Sequence, residues 1–149
     1  MPPKNGRRSR PLVLVIDEHR HARIAFRFYL SREGYDVVEA ASGHEAAELA
    51  SAEAPDLVIV DLNMPGIGGV LATQRLRTIA GVSSVPFVAC AGPDSQAYRD
   101  AARAAGCDAY VTKPFNPGIL LMVVKRLLNR RSAGVLPSGD VAQMAAMVM

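Results

Sequence analysis

Leu57-Val58-Ile59-Val60-Asp61-Leu62-Asn63-Met64-Pro65-Gly66 is the stretch whose reading decides the fold. Its unbroken apolar opening, rich in β-branched residues, is the pattern of a strand buried on both faces inside a parallel sheet. The strand stops on an aspartate, and Met64-Pro65-Gly66 turns the chain immediately afterwards. A carboxylate placed there lies at the carboxyl edge of the sheet, where open α/β sheets bind their ligands. A lone aspartate after a strand most often only caps a loop. Asp61 gains weight because other strand ends bring polar groups to the same edge.

Working outward, Leu12-Val13-Leu14-Val15-Ile16 is a first buried strand ending in Asp17-Glu18. Ala22, Ala25, Phe26, Tyr29 and Leu30 then fall on one helical face, and Gly34 suits the helix C-terminus. Tyr35 to Ala40 is a weaker second strand. Ser42 and Glu45 form a capping box for a second helix that turns Ala46, Leu49 and Ala50 inward and ends at Pro55. Beyond the opening stretch, Val70, Leu71 and Leu76 belong to a third helix running to about Ala80. Val85 to Cys90 is a fourth strand. A turn at Ala91-Gly92-Pro93-Asp94 leads into a fourth helix with Tyr98, Ala101, Ala102 and Ala105 on one face, stopped by Gly106. Asp108 to Thr112 is a fifth strand, followed by Lys113-Pro114-Phe115. Asn116 and Pro117 start a fifth helix, with Leu120, Val123, Val124, Leu127 and Leu128 inward.

Strands alternating with helices imply a parallel sheet covered on both faces. Right-handed crossovers leave the doubly wound order 2-1-3-4-5 as the expected topology: a flavodoxin-like (βα)5 three-layer sandwich. At 149 residues the chain is expected to form one domain, residues 11–131. Residues 1–10, basic and Pro-containing, are expected to be a disordered tail, and 132–149 a second tail, disordered or a short docking helix.

Composition narrows the function classes. Half of the residues are hydrophobic and only 5% aromatic, which suits Ala- and Val-rich helices packed on a sheet. The net charge of +3 is modest and gathers in Lys4, Arg7, Arg8 and Arg10 and in Lys125, Arg126, Arg130 and Arg131, so nucleic-acid binding is not expected. Cys90 and Cys107 are predicted about 15 Å apart along neighbouring strands, beyond disulfide reach. No apolar run approaches a membrane span or a signal-peptide core, and a reducing cytoplasm is the expected location.

The topology gathers Asp17, Glu18, Asp61 and Lys113 at one sheet edge. Crowded carboxylates repel one another unless a cation neutralises them, and oxygen donors suit a hard ion such as Mg²⁺. A lysine beside them offers a point charge to an incoming anion. An ion, an amine and an aspartate oxygen together can accept a phosphoryl group, a reaction governed by positioning and charge neutralisation. This reading needs Lys113 to face the acids and Asp61 to be within reach of solvent.

The acidic pair Asp17-Glu18, the run Asp61-Leu62-Asn63-Met64-Pro65-Gly66 and the triplet Lys113-Pro114-Phe115 resemble the receiver domain of two-component response regulators, the CheY-like family, over residues 12 to about 130. The resemblance implies phosphorylation of Asp61 by a sensor histidine kinase or histidine phosphotransfer protein. It also implies Mg²⁺ (or Mn²⁺) held by Asp17, Glu18, Asp61 and the backbone carbonyl of Asn63. Lys113 would pair with the phosphoryl oxygens, and the peptide bond before Pro114 would be cis. Tyr110 stands where the family carries its switch aromatic. Output would pass to a target protein through the fourth helix, fifth strand and fifth helix, and a homodimer is compatible with surplus apolar residues Ile119, Leu121 and Met122. Such a module catalyses only its own phosphorylation and dephosphorylation.

Three residues depart from the pattern. Ala91 stands where a Ser or Thr is usual, removing one hydrogen bond to the phosphoryl group, worth about 1 kcal/mol or somewhat more. The Gly92 N–H can still donate, so phosphorylation is expected to survive while coupling to Tyr110 weakens. Glu18 replaces Asp, which predicts weaker Mg²⁺ binding because that ion demands near-ideal octahedral geometry. Gly68 replaces a frequent acid and implies a looser loop. His19 and His21 are not expected to bind metal, since residues two apart on a helix face different ways. Gly66-Ile67-Gly68-Gly69 lacks the following Gly-Lys-Ser/Thr of a phosphate loop. Two rival functions are a phosphatase using a strand-end aspartate, which would want an acid where Asn63 stands, and a phosphorylation-independent binding module, suggested by Ala91 and Glu18.

Overall fold

The computed structural model describes residues 8–65, 68–92 and 95–132. Five strands, β1 (Leu12–Ile16), β2 (Asp36–Ala40), β3 (Leu57–Asp61), β4 (Phe87–Ala91) and β5 (Ala109–Thr112), alternate with five helices. The helices are α1 (Arg20–Arg32), α2 (Gly43–Ala52), α3 (Gly68–Leu76), α4 (Gln96–Ala105) and α5 (Pro117–Ser132). The sheet is parallel throughout, in the order β2-β1-β3-β4-β5. The expected doubly wound sandwich is therefore present.

Side-chain alternation along the strands divides the core in two. Val13, Val15, Leu57, Ile59, Val88, Cys90 and Val111 face α1 and α5, where Phe26, Leu30, Leu120, Val123, Val124 and Leu127 meet them. Leu14, Ile16, Val58, Val60, Ala89, Ala91 and Tyr110 face α2, α3 and α4. The inward stripe read for α5 is buried in full.

The helix ends follow local chemistry. Ser42 Oγ accepts the Glu45 N–H at 3.2 Å, while Glu45 Oε2 accepts the Ala41 N–H at 3.3 Å, one residue outside the usual box. Asn116 Oδ1 accepts the Ile119 N–H at 3.2 Å and starts α5. Gly106 ends α4 with φ 91°, a left-handed conformation that costs glycine nothing.

Several elements differ from expectation. α3 stops at Leu76 rather than near Ala80, and tight turns carry the chain through Val82. Leu71 is 51% exposed; α3 instead buries Ala72, Thr73 and Leu76. Val82 and Val85 are buried without being strand, because a core needs apolar volume and not only strands. At the N-terminus, Arg8 pairs with Glu53 and Asp56 at 2.8 and 2.9 Å, and Arg10 donates to the Gly34 carbonyl at 3.0 Å. The disordered tail expected through residue 10 thus gives way to anchored chain at Arg8. Arg131 reaches the same Asp56 carboxylate at 3.2 Å, so one aspartate ties both ends of the domain together. The tail expected from residue 132 lies, beyond Ser132, outside the described residues.

Both cysteines are free, and burial pushes their thiols up, that of Cys107 to about 12. Among the described residues no helix is long and apolar enough to cross a membrane.

Candidate functional site

Strand parity builds the site. The residues following Val13 and Val15, Leu57 and Ile59, and Ala109 and Val111 on one face are Asp17, Asp61 and Lys113. All three emerge at the carboxyl edge on the α1/α5 side. Lys113 Nζ bonds Asp17 Oδ2 at 2.5 Å and lies 3.3 Å from Asp61 Oδ2. The backbone beneath it is fixed: Lys113 N–H donates to the Ala91 carbonyl at 3.0 Å, and the Lys113–Pro114 peptide bond is cis. Phe115 stacks on Phe26, with ring centroids 4.6 Å apart, and fastens this loop to α1.

Both carboxylates are deeply placed. Asp17 is fully buried and Asp61 is 1% exposed. Asp17 Oδ1 accepts the His19 N–H at 2.9 Å, and Asp61 Oδ1 accepts the Asn63 N–H, also at 2.9 Å. Asp61 Oδ2 accepts no hydrogen bond, although Lys113 is ion-paired with it. Burial raises the Asp61 carboxyl above its ordinary range, opposed by the Asn63 N–H; the Asp17 charge adds to the rise and Lys113 offsets it. Burial pulls the Lys113 amine down, yet the Asp17 hydrogen bond and the two carboxylate charges outweigh it and the amine is raised overall. Of the two geometric requirements, Lys113 faces the acids as expected. Asp61, by contrast, is not open to solvent in this conformation: it is 1% exposed, with the Lys113 amine 3.3 Å from its Oδ2.

The other predicted residues are distributed as follows. Glu18 is directed outward, its Oε1 3.5 Å from His19 Nε2. Ala91 is buried in the α2–α4 core together with Tyr110. Tyr110 is itself buried and lies under the Arg99 guanidinium, 4.9 Å from the ring centroid. The Gly92 N–H is already engaged, donating to Asn63 Oδ1 at 3.0 Å, and a Cβ on Gly92 would stand 2.8 Å from the Lys113 carbonyl.

Three contributors escaped the sequence reading. His19 lies beside the acids: its ligand atom and those of Asp17 and Asp61 are all within 4.8 Å of one another. The helical-face reasoning that set His19 aside fails because α1 begins only at Arg20. Tyr98 accepts a hydrogen bond from Asn63 Nδ2 at 2.7 Å, joining α4 to the loop after β3. Gly69 lets α3 press against the Asp61 and Leu62 backbone, and a Cβ there would stand 2.7 Å from Leu62 Cα. Its place in a glycine cluster directly after the strand was the available signal.

Comparison with known proteins gives this edge its meaning. The family model described as the response regulator receiver domain matches residues 13–125. The chain belongs to the response regulator receiver family. The aerobic respiration control protein ArcA of Escherichia coli (strain K12) is 34% identical over 120 residues, covering 80% of this chain and 49% of the relative. The transcriptional regulatory protein ResD of Bacillus subtilis (strain 168) is similar to the same degree, 34% over 120 residues. This receiver chain thus spans about half the length of the curated relatives it matches. In three dimensions it resembles the Vibrio cholerae chemotaxis protein CheY4, with a TM-score of 0.76, 28% identity and coverage of 80% of this chain and 99% of that one. The acidic cluster of this receiver fits a divalent ion: two carboxylates of one buried group, one of them with an oxygen that accepts no hydrogen bond.

Proposed function

We propose that this receiver domain accepts a phosphoryl group on Asp61 from a sensor histidine kinase or histidine phosphotransfer protein, as a relay step in two-component signalling. The observation that carries this reading is the position of Lys113 Nζ, 2.5 Å from Asp17 and 3.3 Å from Asp61. An amine at that point meets the charge of an anion arriving at Asp61. In the step itself a carboxylate oxygen of Asp61 forms the new P–O bond while the P–N bond of a phosphohistidine breaks. The electron pair of that bond stays on the imidazole, which takes up a proton.

Asp17, Asp61 and the Asn63 backbone carbonyl, with Glu18 beside them, would hold Mg²⁺ or Mn²⁺. Such an ion neutralises the phosphoryl oxygens. Lys113 leaves its bond to Asp17 to follow the phosphoryl group. Gly92 N–H can serve a phosphoryl oxygen once it releases Asn63. Ala91 contributes a methyl group inside the core and no hydroxyl, so movement of Tyr110 is coupled to Asp61 more weakly than a Ser or Thr would allow. Output then passes to a target protein over the face of α4, β5 and α5.

The test is incubation of the full chain with acetyl phosphate and Mg²⁺, followed by intact mass. A single phosphoryl adduct that Asp61→Asn abolishes supports the reading. Absence of an adduct overturns it and favours the phosphorylation-independent binding module, the reading that the fully buried Ala91 motivates.

A further inference from the structure

We propose that His19 supplies an imidazole ligand to the divalent ion at the Asp17–Asp61 cluster, tuning the site toward a first-row transition ion such as Mn²⁺ and away from Mg²⁺. The inference rests on the receiver reading in that it shares its metal site. It adds a ligand, and a preference, that the family resemblance does not supply.

The local chain explains why the imidazole is available. His19 occupies the N-cap of α1, with φ −85° and ψ 118°, a position where Ser, Thr, Asp or Asn would turn its side chain onto the helix. The imidazole makes no such cap bond. Instead the His19 N–H closes onto Asp17 Oδ1 at 2.9 Å, which folds the residue back over the carboxylate. Nδ1 then stands 3.4 Å from Asp17 Oδ1, and Nε2 stands 3.5 Å from Glu18 Oε1.

This arrangement redistributes the acidic pair. Asp17 faces inward with Asp61, while Glu18 stands at the far nitrogen of the ring. A metal-bound histidine commonly has its second ring nitrogen held by a carboxylate, which fixes the tautomer and strengthens the ligand. Glu18 is placed to do this for His19. Asp61 completes the group on the buried side: it is 1% exposed, and its Oδ2 has the Lys113 amine 3.3 Å away as ion-pair partner. Two carboxylate oxygens and one imidazole nitrogen form a mixed donor set. Oxygen-only sets suit Mg²⁺, whereas imidazole favours the transition series, in which Mn²⁺ tolerates both donors. His19 is exposed and lies outside the cores, so its replacement leaves the fold intact.

The experiment titrates wild type, His19→Ala and His19→Gln with Mn²⁺ and with Mg²⁺ separately, by calorimetry, and records electron spin echo modulation of the Mn²⁺-loaded protein. Wild type is expected to prefer Mn²⁺ by tenfold or more and to show a directly bound ¹⁴N nucleus. Both variants lose the nitrogen signal and most of the preference, Mn²⁺ affinity falling by at least tenfold more than Mg²⁺ affinity. A wild-type echo without ¹⁴N coupling, or an unchanged metal preference in the variants, overturns the role of His19. If an Asp61 adduct still forms with Mg²⁺ in such a case, the receiver reading stands and this inference alone fails. Failure of wild type to bind either ion overturns the metal site as a whole.

Discussion

Asn63 Nδ2 donates to the Tyr98 hydroxyl at 2.7 Å while Asn63 Oδ1 accepts the Gly92 N–H at 3.0 Å, so one amide side chain bridges the loop after β3, the loop after β4 and helix α4. Ser95 caps α4 by accepting the Tyr98 N–H at 3.1 Å, which fixes the residue that holds the far end of the bridge. The bridge engages the same Gly92 N–H that would bond a phosphoryl oxygen. In a receiver with Ala91 in place of a hydroxyl, it is a polar connection between the site and α4.

Tyr98→Phe removes one bond of that bridge and leaves the ring. The lost hydrogen bond is worth about 1 kcal/mol, or roughly fivefold in an equilibrium. We expect adduct formation from acetyl phosphate to accelerate by about that factor, because Gly92 and Asn63 are released more easily. The melting temperature should fall by about 2–4 °C. An unchanged initial rate in the intact-mass time course would show that the bridge does not restrain the site.

The raised Asp61 carboxyl gives a stability prediction with a definite sign. An acid that holds its proton more tightly in the folded state favours folding at low pH and loses that contribution as pH rises from its ordinary 3.8 through its folded value. At neutral pH the ionised, buried carboxylate therefore works against the fold, through burial first and the Asp17 charge in addition. Asp61→Asn should stabilise the metal-free protein by about 1–2 kcal/mol at pH 7. That advantage should narrow as pH falls through the folded value of the carboxyl, where wild type takes up the proton itself. Thermal melts in EDTA across this range measure it, and a variant less stable than wild type at pH 7 would refute the sign.

Gly69 is the least replaceable glycine near the site. A methyl group there meets the Asp61 carbonyl oxygen and Leu62 Cα, which are backbone and cannot rotate aside. Gly69→Ala should cost about 1–3 kcal/mol, the usual range for overpacking, by pushing the start of α3 away from the β3 terminus. Gly34→Ala is a useful comparison, since a Cβ there meets nothing within 4 Å but suffers the left-handed φ of 93°. Chemical denaturation of the two variants separates crowding at the site from backbone strain at a remote turn.

The fold was legible because parallel strands announce themselves as apolar runs, and Leu12–Ile16 and Leu57–Val60 are such runs. The residues at their ends followed from topology, so Asp17, Asp61 and Lys113 could be brought together without coordinates. Boundaries were less legible. Val85 reads as strand yet is a buried turn residue, and the third helix reads on to about Ala80 yet ends at Leu76. Contacts set by side-chain direction outside regular elements were not legible. Period arguments do not reach His19, which precedes α1, or the Asn63–Tyr98 pair, which joins residues 35 apart in sequence. The near-complete burial of Asp61 is likewise specified by no pattern in the sequence.

Lys113 offers the sharpest joint test of site and stability. Its amine stands between two carboxylates that are almost wholly buried, and Lys113→Met keeps the stem while deleting the charge. Breaking a buried pair leaves uncompensated charge and costs 3–5 kcal/mol in full burial; with the lysine side chain 23% exposed, about 2–3 kcal/mol is expected here. The raised amine contributes stability that is complete below its ordinary 10.5 and is lost as pH climbs through its folded value. The gap between wild type and variant should therefore be constant from pH 7 to 9 and close at more alkaline pH. Divalent ion should narrow the gap at neutral pH as well, since an ion bound to the folded state alone stabilises it by mass action and supplies the missing positive charge. Calorimetric melts with EDTA and with millimolar Mg²⁺ measure both effects. A variant as stable as wild type in EDTA would mean that Lys113 contributes no net pairing to Asp17 and Asp61. Equal destabilisation with and without the ion would mean that the ion does not replace the positive charge that Lys113 supplies.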